Sequence, residues 1–179
     1  MKLLVKDNFL DDIDHLRDRG LQSKYHYSED FSVDVGWRGY RTLELELEND
    51  KFINYCGNKI LEEVYQFFGI KGYSITSHFH ISLSKTRETL KNFEDKKYHF
   101  DQTEYAGVLY LYPNPPKGTG TSILDGENNK IIQVENVYNR LVCYPGTSIH
   151  APTNLFGDTM KDGRMTFTFF ISKGWDWQS

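Results

Sequence analysis

Two histidines and an aspartate are the residues of this chain best suited to chemistry, because together they could share a metal ion. His99 and Asp101 are two positions apart, and residues at that spacing point to the same side of an extended strand. His150 could supply a third ligand from another strand. Two imidazole nitrogens and one carboxylate on a single face of a metal leave its other positions vacant, an arrangement that suits Fe(II).

An arginine is the second feature with chemical meaning. Arg164 follows His150 by fourteen residues and begins an apolar stretch, residues 164–172, that is typical of a buried strand. A buried guanidinium without an anionic partner is costly. A dicarboxylate co-substrate could be that partner, held by two parallel hydrogen bonds. A structural salt bridge with an acidic side chain is the alternative interpretation.

His78 and His80 form a competing candidate for metal binding, because they have the same spacing within a predicted strand. A cupin-type site would also need a glutamate shortly after the pair, and Glu88 is eight residues beyond His80. We therefore predict that the two histidines line a wall of the fold or face solvent.

Most of the chain after residue 72 has the pattern of short strands. Residues 73–84 alternate apolar and polar side chains, and further short apolar segments follow, separated by proline, glycine and Asp-Gly turn signals. These segments are 98–101, 105–112, 121–124, 130–135, 139–144, 148–151 and 164–172. Many short strands without helices between them indicate a sandwich or a barrel. The charged segment 85–97 is predicted to be a loop or a short helix.

The sequence before residue 73 predicts two helices. One covers roughly residues 9–19 with Gly20 as its stop, and the other covers roughly residues 51–68 with Gly69 as its stop. An Asn-Asp pair precedes the second helix and offers a side-chain cap. In both segments the apolar residues recur at helical spacing, so each helix should bury one face.

The segments beside these helices are predicted from their local pattern. Leu43, Leu45 and Leu47 alternate with glutamates, which predicts a strand with one face in solvent. Residues 21–41 are polar and aromatic and are predicted to be a loop. This loop is either a surface loop pinned by Trp37 or a lid over the mouth of a site.

Composition narrows the class of protein. The chain of 179 residues is predicted to be a single domain, 1–179, and its aromatic content of 15% favours a β-rich fold. A formal net charge of -4 and the lack of a long basic run disfavour binding to a nucleic-acid backbone. The two cysteines make no disulfide framework. No signal peptide and no apolar run of membrane-spanning length is recognisable, so we expect a cytoplasmic protein without a membrane partner.

The order of the chemically suited residues resembles the Fe(II)/2-oxoglutarate-dependent oxygenases, and most closely the prolyl-4-hydroxylase-like branch. The resemblance covers roughly residues 73–172. Its elements are, in order, His99-x-Asp101, Tyr110-Leu111-Tyr112, Gly120-Thr121-Ser122, His150 and Arg164-x-Thr166. It implies a mainly β fold, a double-stranded β-helix (a cupin-like jelly roll) with N-terminal helices packed outside. Residues 1–72 would then support a core of residues 73–172.

The resemblance implies a role for each of four residues. His99, Asp101 and His150 match the iron ligands of the family. Arg164 matches the residue that pairs with the C5 carboxylate of 2-oxoglutarate. The spacing between His150 and Arg164 departs from the closest hydroxylases, because residues 156–163 look like an added loop.

Three further residues match positions around the co-substrate. Tyr110 matches a tyrosine that hydrogen-bonds the C5 carboxylate, and Thr168 matches a hydroxyl beside it. Thr166 is a lesser candidate, because Thr166, Thr168 and Arg164 share one face of a strand. Tyr112 is a departure, since the related hydroxylases commonly carry asparagine at that position.

The implied reaction uses Fe(II), O2 and 2-oxoglutarate, releases succinate and CO2, and hydroxylates a C–H bond of a primary substrate. The resemblance favours a prolyl or other peptide side chain as that substrate, and a small molecule is the other possibility. A non-catalytic, cupin-like jelly-roll module that binds a metal or another ligand is the alternative function.

Overall fold

A computed structural model describes residues 1–32, 37–88 and 98–173 of the chain. Most of the charged segment 85–97 therefore lies outside the described residues. Within them, ten strands form two antiparallel sheets. The larger sheet has the spatial order β1 (Leu4–Lys6), β8 (Leu141–Pro145), β5 (Tyr105–Tyr110), β10 (Arg164–Lys173), β4 (Tyr73–Ser82), β3 (Tyr40–Arg41), β2 (His26–Tyr27). The smaller sheet has the order β7 (Lys130–Val134), β6 (Thr121–Asp125), β9 (His150–Pro152).

The two faces of the larger sheet have different environments, as the alternation of the sequence predicts. On β10 the side chains that point outward are buried in the main apolar core: Met165, Phe167, Phe169 and Ile171. A second apolar cluster joins the inner face of the larger sheet to the smaller sheet. Its buried members are Ala106, Val108, Tyr110, Ile123, Val134, Val142 and Tyr144. The fold is thus mainly β, a jelly roll, and this part of the prediction is confirmed.

Two helices, α1 (Ile13–Gln22) and α2 (Lys51–Phe68), cover the outer face of the larger sheet, where their buried residues belong to the main apolar core. A short third helix, α3 (Ser84–Glu88), follows β4, and its Thr86 is buried. Helix α2 begins and ends as predicted, because the Asp50 carboxylate accepts hydrogen bonds from the amides of Phe52 and Ile53, and Gly69 adopts a left-handed conformation with φ of 72°. Among the described residues, no helix combines the length and apolar character needed to cross a bilayer.

The predicted end of the first helix is wrong. Helix α1 runs through Gly20 to Gln22, so Gly20 does not stop it. Gly20 is buried against the sheet, where an added Cβ would overlap the Met165 Cε and lie 2.9 Å from the Phe79 Cδ1. The glycine therefore allows the helix to approach the sheet closely.

The predicted strand at Leu43, Leu45 and Leu47 is also wrong. Residues Leu45–Glu48 form a 3₁₀ helix, in which Leu45 is fully buried. Hydrogen bonds from side chains replace the strand pairing at this edge of β4. The Glu46 carboxylate accepts from the Ser77 amide at 2.9 Å and from the Ser77 hydroxyl at 2.6 Å. The alternation of leucine and glutamate does not reveal that a glutamate side chain bonds the edge of β4 in place of a paired strand.

The segment 21–41 is only partly a loop. Its described residues include the short strands β2 and β3, which extend the larger sheet beyond β4. Arg41 is directly opposite His80 in the register of β3 and β4. Because opposite residues of paired strands point to the same face, Arg41 and His80 both face the inside of the jelly roll.

Candidate metal centre

Backbone pairing brings His99 and His150 together. The two residues form an isolated antiparallel bridge: the His99 amide donates to the His150 carbonyl at 3.0 Å, and the His150 amide donates back at 2.8 Å. Their imidazole rings lie 4.4 Å apart between centroids. The smaller sheet thus supplies one histidine through β9, and the extended segment before β5 supplies the other.

Asp101 completes the cluster from the same extended segment as His99. Its amide donates to the Gly146 carbonyl at 2.8 Å, which fixes the backbone beside the turn after β8. Its carboxylate oxygens lie 3.8 Å from the His99 Nε2 and 3.4 Å from the His150 Nε2. The three potential ligand atoms all lie within 4.8 Å of one another. The side chains of His99 and Asp101, which are two positions apart, therefore meet the side chain of His150, as the sequence predicted.

The surroundings of His150 leave one ring nitrogen available as a ligand. Its Nδ1 lies 2.9 Å from the Ser148 carbonyl, which can only accept, so Nδ1 carries the proton. The Nε2 then presents its lone pair on the side of Asp101. Burial lowers the pKa of His150, although the Asp101 carboxylate acts in the opposite direction. A neutral imidazole oriented by a backbone carbonyl is the form that binds metals.

The donor set fits a divalent transition metal. Two imidazoles and one carboxylate offer three ligand atoms, which leaves room for exchangeable ligands on the opposite side of an ion. Across the parts of the chain that the structure describes, His99, Asp101 and His150 form the one cluster of this kind. The metal hypothesis therefore passes a chemical test of fit at this cluster.

A cavity of about 160 Å³ adjoins the cluster, and all three of its residues line it. An engineered cavity of about 150 Å³ accepts benzene, so this volume is sufficient for a small organic molecule. Arg164 and Thr168 also line the cavity from β10. The site therefore combines a potential metal centre with a buried cation.

Arg164 is held in place by neutral groups. Its Nε donates to the Thr119 carbonyl at 3.1 Å and its Nη2 to the Gly120 carbonyl at 3.3 Å, while its Cζ lies 5.5 Å from the centre of the Tyr110 ring. No carboxylate within the described ranges forms an ion pair with it. The alternative of a structural salt bridge is therefore not observed in that part of the chain, and one edge of the guanidinium remains for an anion.

The other predicted residues are close to Arg164 but are not equally exposed to the cavity. Tyr110 is fully buried, and its hydroxyl lies 2.6 Å from the Thr121 hydroxyl. Thr168 lines the cavity, with its hydroxyl 3.1 Å from that of Thr166. Thr166 is 1% exposed and lies behind this lining.

The segment 21–41, predicted to be either a surface loop or a lid over a site, contributes one wall of the cavity, although sequence reasoning named none of its residues as site residues. Trp37, Arg38 and Arg41 line it from β3 and the residues just before β3. Strand β3 contains only two residues, too few for alternation to be recognised. The available signal was composition, since the segment reads Trp37-Arg38-Gly39-Tyr40-Arg41, with two arginines close to a tryptophan.

His78 and His80 hold that wall in place and are not part of the metal cluster. The His78 Nδ1 lies 3.1 Å from the Thr42 carbonyl, and the His80 Nε2 lies 2.5 Å from the Arg38 carbonyl. Burial lowers the pKa of His78 to about 4 and that of His80 to about 3, with further lowering by the Arg41 charge. Both rings are therefore neutral donors to the β3 segment, and His80 lines the cavity as predicted.

Sequence comparison and structure comparison give different results. A scan against models of protein families found no match, and a search of curated protein sequences found none. Among solved structures, a prolyl-4-hydroxylase from Pseudomonas putida matches with a TM-score of 0.59 at 12% identity, over 96% of this chain and 92% of that chain.

Two further solved structures are similar. A 2OG-Fe(II) oxygenase family oxidoreductase from Burkholderia pseudomallei matches with a TM-score of 0.67 at 10% identity, over 96% of this chain and 84% of that chain. A Trichoplax adhaerens prolyl hydroxylase, in complex with a peptide fragment of hypoxia inducible factor, matches with a TM-score of 0.57 at 15% identity, over 96% and 83%. The chain therefore has the fold of the 2-oxoglutarate oxygenases and of prolyl hydroxylases, as the sequence resemblance predicted.

Proposed function

We propose that this protein is an Fe(II)- and 2-oxoglutarate-dependent dioxygenase that hydroxylates a C–H bond of a primary substrate and releases succinate and CO2. One observation carries the proposal: three ligand atoms from His99, Asp101 and His150 converge within 4.8 Å on the wall of a cavity that also contains Arg164. The shared fold supports the same reaction class.

In this proposal His99, Asp101 and His150 hold the iron on one face. When bound, Fe(II) supplies the activation of O2 that is coupled to the oxidative decarboxylation of 2-oxoglutarate. The hydrogen bond from His150 to the Ser148 carbonyl keeps its ring in the ligating tautomer. Burial of His150 and Asp101 limits competition by water for the ligand positions, since their side chains are only 9% and 15% exposed.

The second group of residues would bind and orient the co-substrate. The Arg164 guanidinium offers a charge and an edge of N–H donors to the C5 carboxylate, while the Thr119 and Gly120 carbonyls prevent it from turning. Thr168 could add a hydroxyl from the same wall. Tyr110 supports the guanidinium face, and Thr166 supports Thr168 from behind.

The class of primary substrate has support from one neighbour. The Trichoplax prolyl hydroxylase was solved with a peptide fragment, which makes a peptide side chain one candidate for this chain as well. A small molecule is the other candidate, since the cavity beside the metal cluster has a volume of about 160 Å³.

The test is anaerobic reconstitution with Fe(II) and 2-oxoglutarate, followed by exposure to O2 and measurement of succinate. We expect a visible metal-to-ligand charge-transfer band before O2 is added and slow succinate formation afterwards. The variant His150→Ala should lose both signals, and Arg164→Ala should weaken binding of 2-oxoglutarate. The matched control is His15→Ala, which removes an exposed histidine of α1.

The possible outcomes separate the proposed enzyme from a binding module. Succinate formation that requires His150 supports the dioxygenase. If Fe(II) binds but 2-oxoglutarate gives no charge-transfer band, the proposal is wrong and a metal-binding jelly-roll module takes its place. If neither binds, the metal hypothesis itself fails.

A further inference from the structure

We propose that Arg41 binds a carboxylate of the primary substrate, so that the substrate of this site is an organic acid. This inference rests on the proposed dioxygenase function and names the chemical class on which it acts. It starts from a second, half-buried cation on the cavity wall, one for which the co-substrate provides no partner.

The position of Arg41 is fixed by the sheet. Strand β3 pairs with β4, and Arg41 is directly opposite His80 on the inner face. From there the guanidinium reaches along the sheet, so that its Cζ lies 5.1 Å from the centre of the Phe170 ring. Its Cζ also lies 5.9 Å from the centre of the Trp37 ring. Arg41 therefore enters the cavity between two aromatic side chains.

These aromatic contacts determine which part of the guanidinium is available. Aromatic rings interact with the flat face of a guanidinium, whereas its hydrogen-bond donors lie in its plane. The N–H groups at the edge remain for a planar acceptor. A carboxylate is planar and can accept two parallel N–H bonds, which is the geometry in which arginine binds it best.

Arg41 has no such acceptor in the described part of the chain. Its Nε is buried and has no hydrogen-bond partner there, and no described carboxylate forms an ion pair with it. Burial lowers the pKa of Arg41 to about 10, while the charges of Asp101 and Glu44 oppose this shift. The side chain is therefore still a cation at neutral pH. A cation with a buried, unpartnered N–H and no anion is costly, which indicates that its partner arrives with a ligand.

The co-substrate does not account for this cation. Arg164 contacts the ring of Tyr110, which is opposite Thr166 on β10, whereas Arg41 contacts the ring of Phe170 on the same strand. Arg41 starts level with Thr166, because it is opposite His80 and His80 is opposite Thr166, and its side chain extends from there towards Phe170. The two guanidinium groups thus lie against different parts of the cavity wall: Arg164 is held by the Thr119 and Gly120 carbonyls, and Arg41 lies near the rings of Trp37 and Phe170. A metal held by Asp101 would occupy the carboxylate whose charge acts most on Arg41.

The experiment uses the full chain loaded with 2-oxoglutarate and Zn(II), a diamagnetic substitute for iron, and follows arginine Nε–H signals by NMR. The variants Arg41→Lys and Arg164→Lys assign the two signals, because each variant removes one of them. The probes are acetate and its uncharged counterpart acetamide. A matched pair of peptides, Ac-Ala-Asp-Ala-NH2 and Ac-Ala-Asn-Ala-NH2, tests a peptide as the source of the carboxylate.

We expect acetate to move the Arg41 signal in a saturable manner and acetamide to bind at least about tenfold more weakly. A response to the Asp peptide as well identifies acidic peptides as ligands, and a response to acetate alone identifies small acids. The inference is wrong if the Arg41 signal does not respond to acetate, or if 2-oxoglutarate alone moves it. The same experiment tests the proposed function separately: that function is wrong if 2-oxoglutarate leaves the Arg164 signal unchanged.

Discussion

The interior histidines of this protein differ in what their second ring nitrogen faces. His78, His80 and His150 each have one ring nitrogen close to a backbone carbonyl. For His150 the other nitrogen lies 3.4 Å from the Asp101 carboxylate, whereas His78 and His80 hold the edge strand β3 against β4. A neutral imidazole can thus be a ligand or a structural donor, and the neighbouring carboxylate determines which.

The low pKa of His80 predicts that the stability of the fold depends on pH. Its pKa is about 3 in the folded protein and 6.5 when unperturbed, so the unfolded chain takes up a proton first as pH falls. The contribution of His80 to the free energy of unfolding should therefore be fully present above pH 6.5. Below that pH it should decrease by about 1 kcal/mol per pH unit. Thermal unfolding between pH 7 and pH 5 measures the effect.

The matched variants for this prediction are His80→Gln and His15→Gln. Glutamine at position 80 can donate to the Arg38 carbonyl without titrating, so the pH dependence should become shallower. His15→Gln, at an exposed histidine of α1, controls for the loss of a histidine elsewhere in the chain. An equal slope in the wild type and in His80→Gln would contradict the assignment.

The contacts of Arg164 predict that a lysine cannot replace it. Lysine keeps the charge but has a single ammonium group, which cannot bond the Thr119 and Gly120 carbonyls and an anion in the geometry of a guanidinium. We expect Arg164→Lys to weaken anaerobic binding of 2-oxoglutarate by about tenfold or more. Titration of the charge-transfer band measures this affinity. Arg19→Lys, at a distant arginine that pairs with Glu48 and Asp50, should bind 2-oxoglutarate normally.

At the scale of elements, the sequence predicts those parts of the fold in which one residue pattern continues long enough to be recognised. Strand β10 and helix α2 follow their apolar periodicity, and Asp50 and Gly69 mark the ends of α2. The shared direction of the His99 and Asp101 side chains also follows from strand geometry, since the two residues are two positions apart.

The parts that could not be predicted depend on tertiary contacts. Strand β3 has two residues and exists because β4 and the two histidines hold it, so the sequence indicated only that segment 21–41 could cover a site and not that Arg41 lines it. The 3₁₀ helix Leu45–Glu48 depends on a carboxylate that bonds Ser77, thirty-one positions away. Local propensity contains no information about such distant partners.

Two helical glycines provide a matched prediction about how helices approach the sheet. In Gly20→Ala the new methyl group would collide with Met165 and Phe79, so we expect destabilisation by about 1–3 kcal/mol. In Gly57→Ala the methyl group would lie 3.4 Å from Ile75 in ordinary contact, and the higher helix propensity of alanine should stabilise α2 by up to about 1 kcal/mol. Chemical denaturation measures both. A stabilising Gly20→Ala would show that α1 does not pack tightly.

For the whole molecule, the metal cluster predicts a link between metal binding and global stability. The ligands come from an extended segment before β5 and from β9, so they are together only in the folded chain. Anaerobic Fe(II) at a hundred times its dissociation constant should stabilise the protein by about 2.7 kcal/mol. Thermal melting with and without a chelator measures this gain. The gain should disappear in His150→Ala and persist in His15→Ala; an unchanged gain in His150→Ala would exclude the cluster as the binding site.

The pairing of His99 with His150 also has a consequence for the biosynthesis of the protein. Bringing these residues together closes a loop of about fifty residues, at an entropic cost of roughly 3.5 kcal/mol that only long-range strand pairing offsets. Contacts so distant in sequence form late, because the entropy of closing the chain is lost before the favourable contact energy is gained. A nascent or partly folded chain therefore lacks the complete ligand set. In the proposed function, capture of Fe(II) would therefore follow closure of the fold around the three ligands, and an immature chain would not hold the ion.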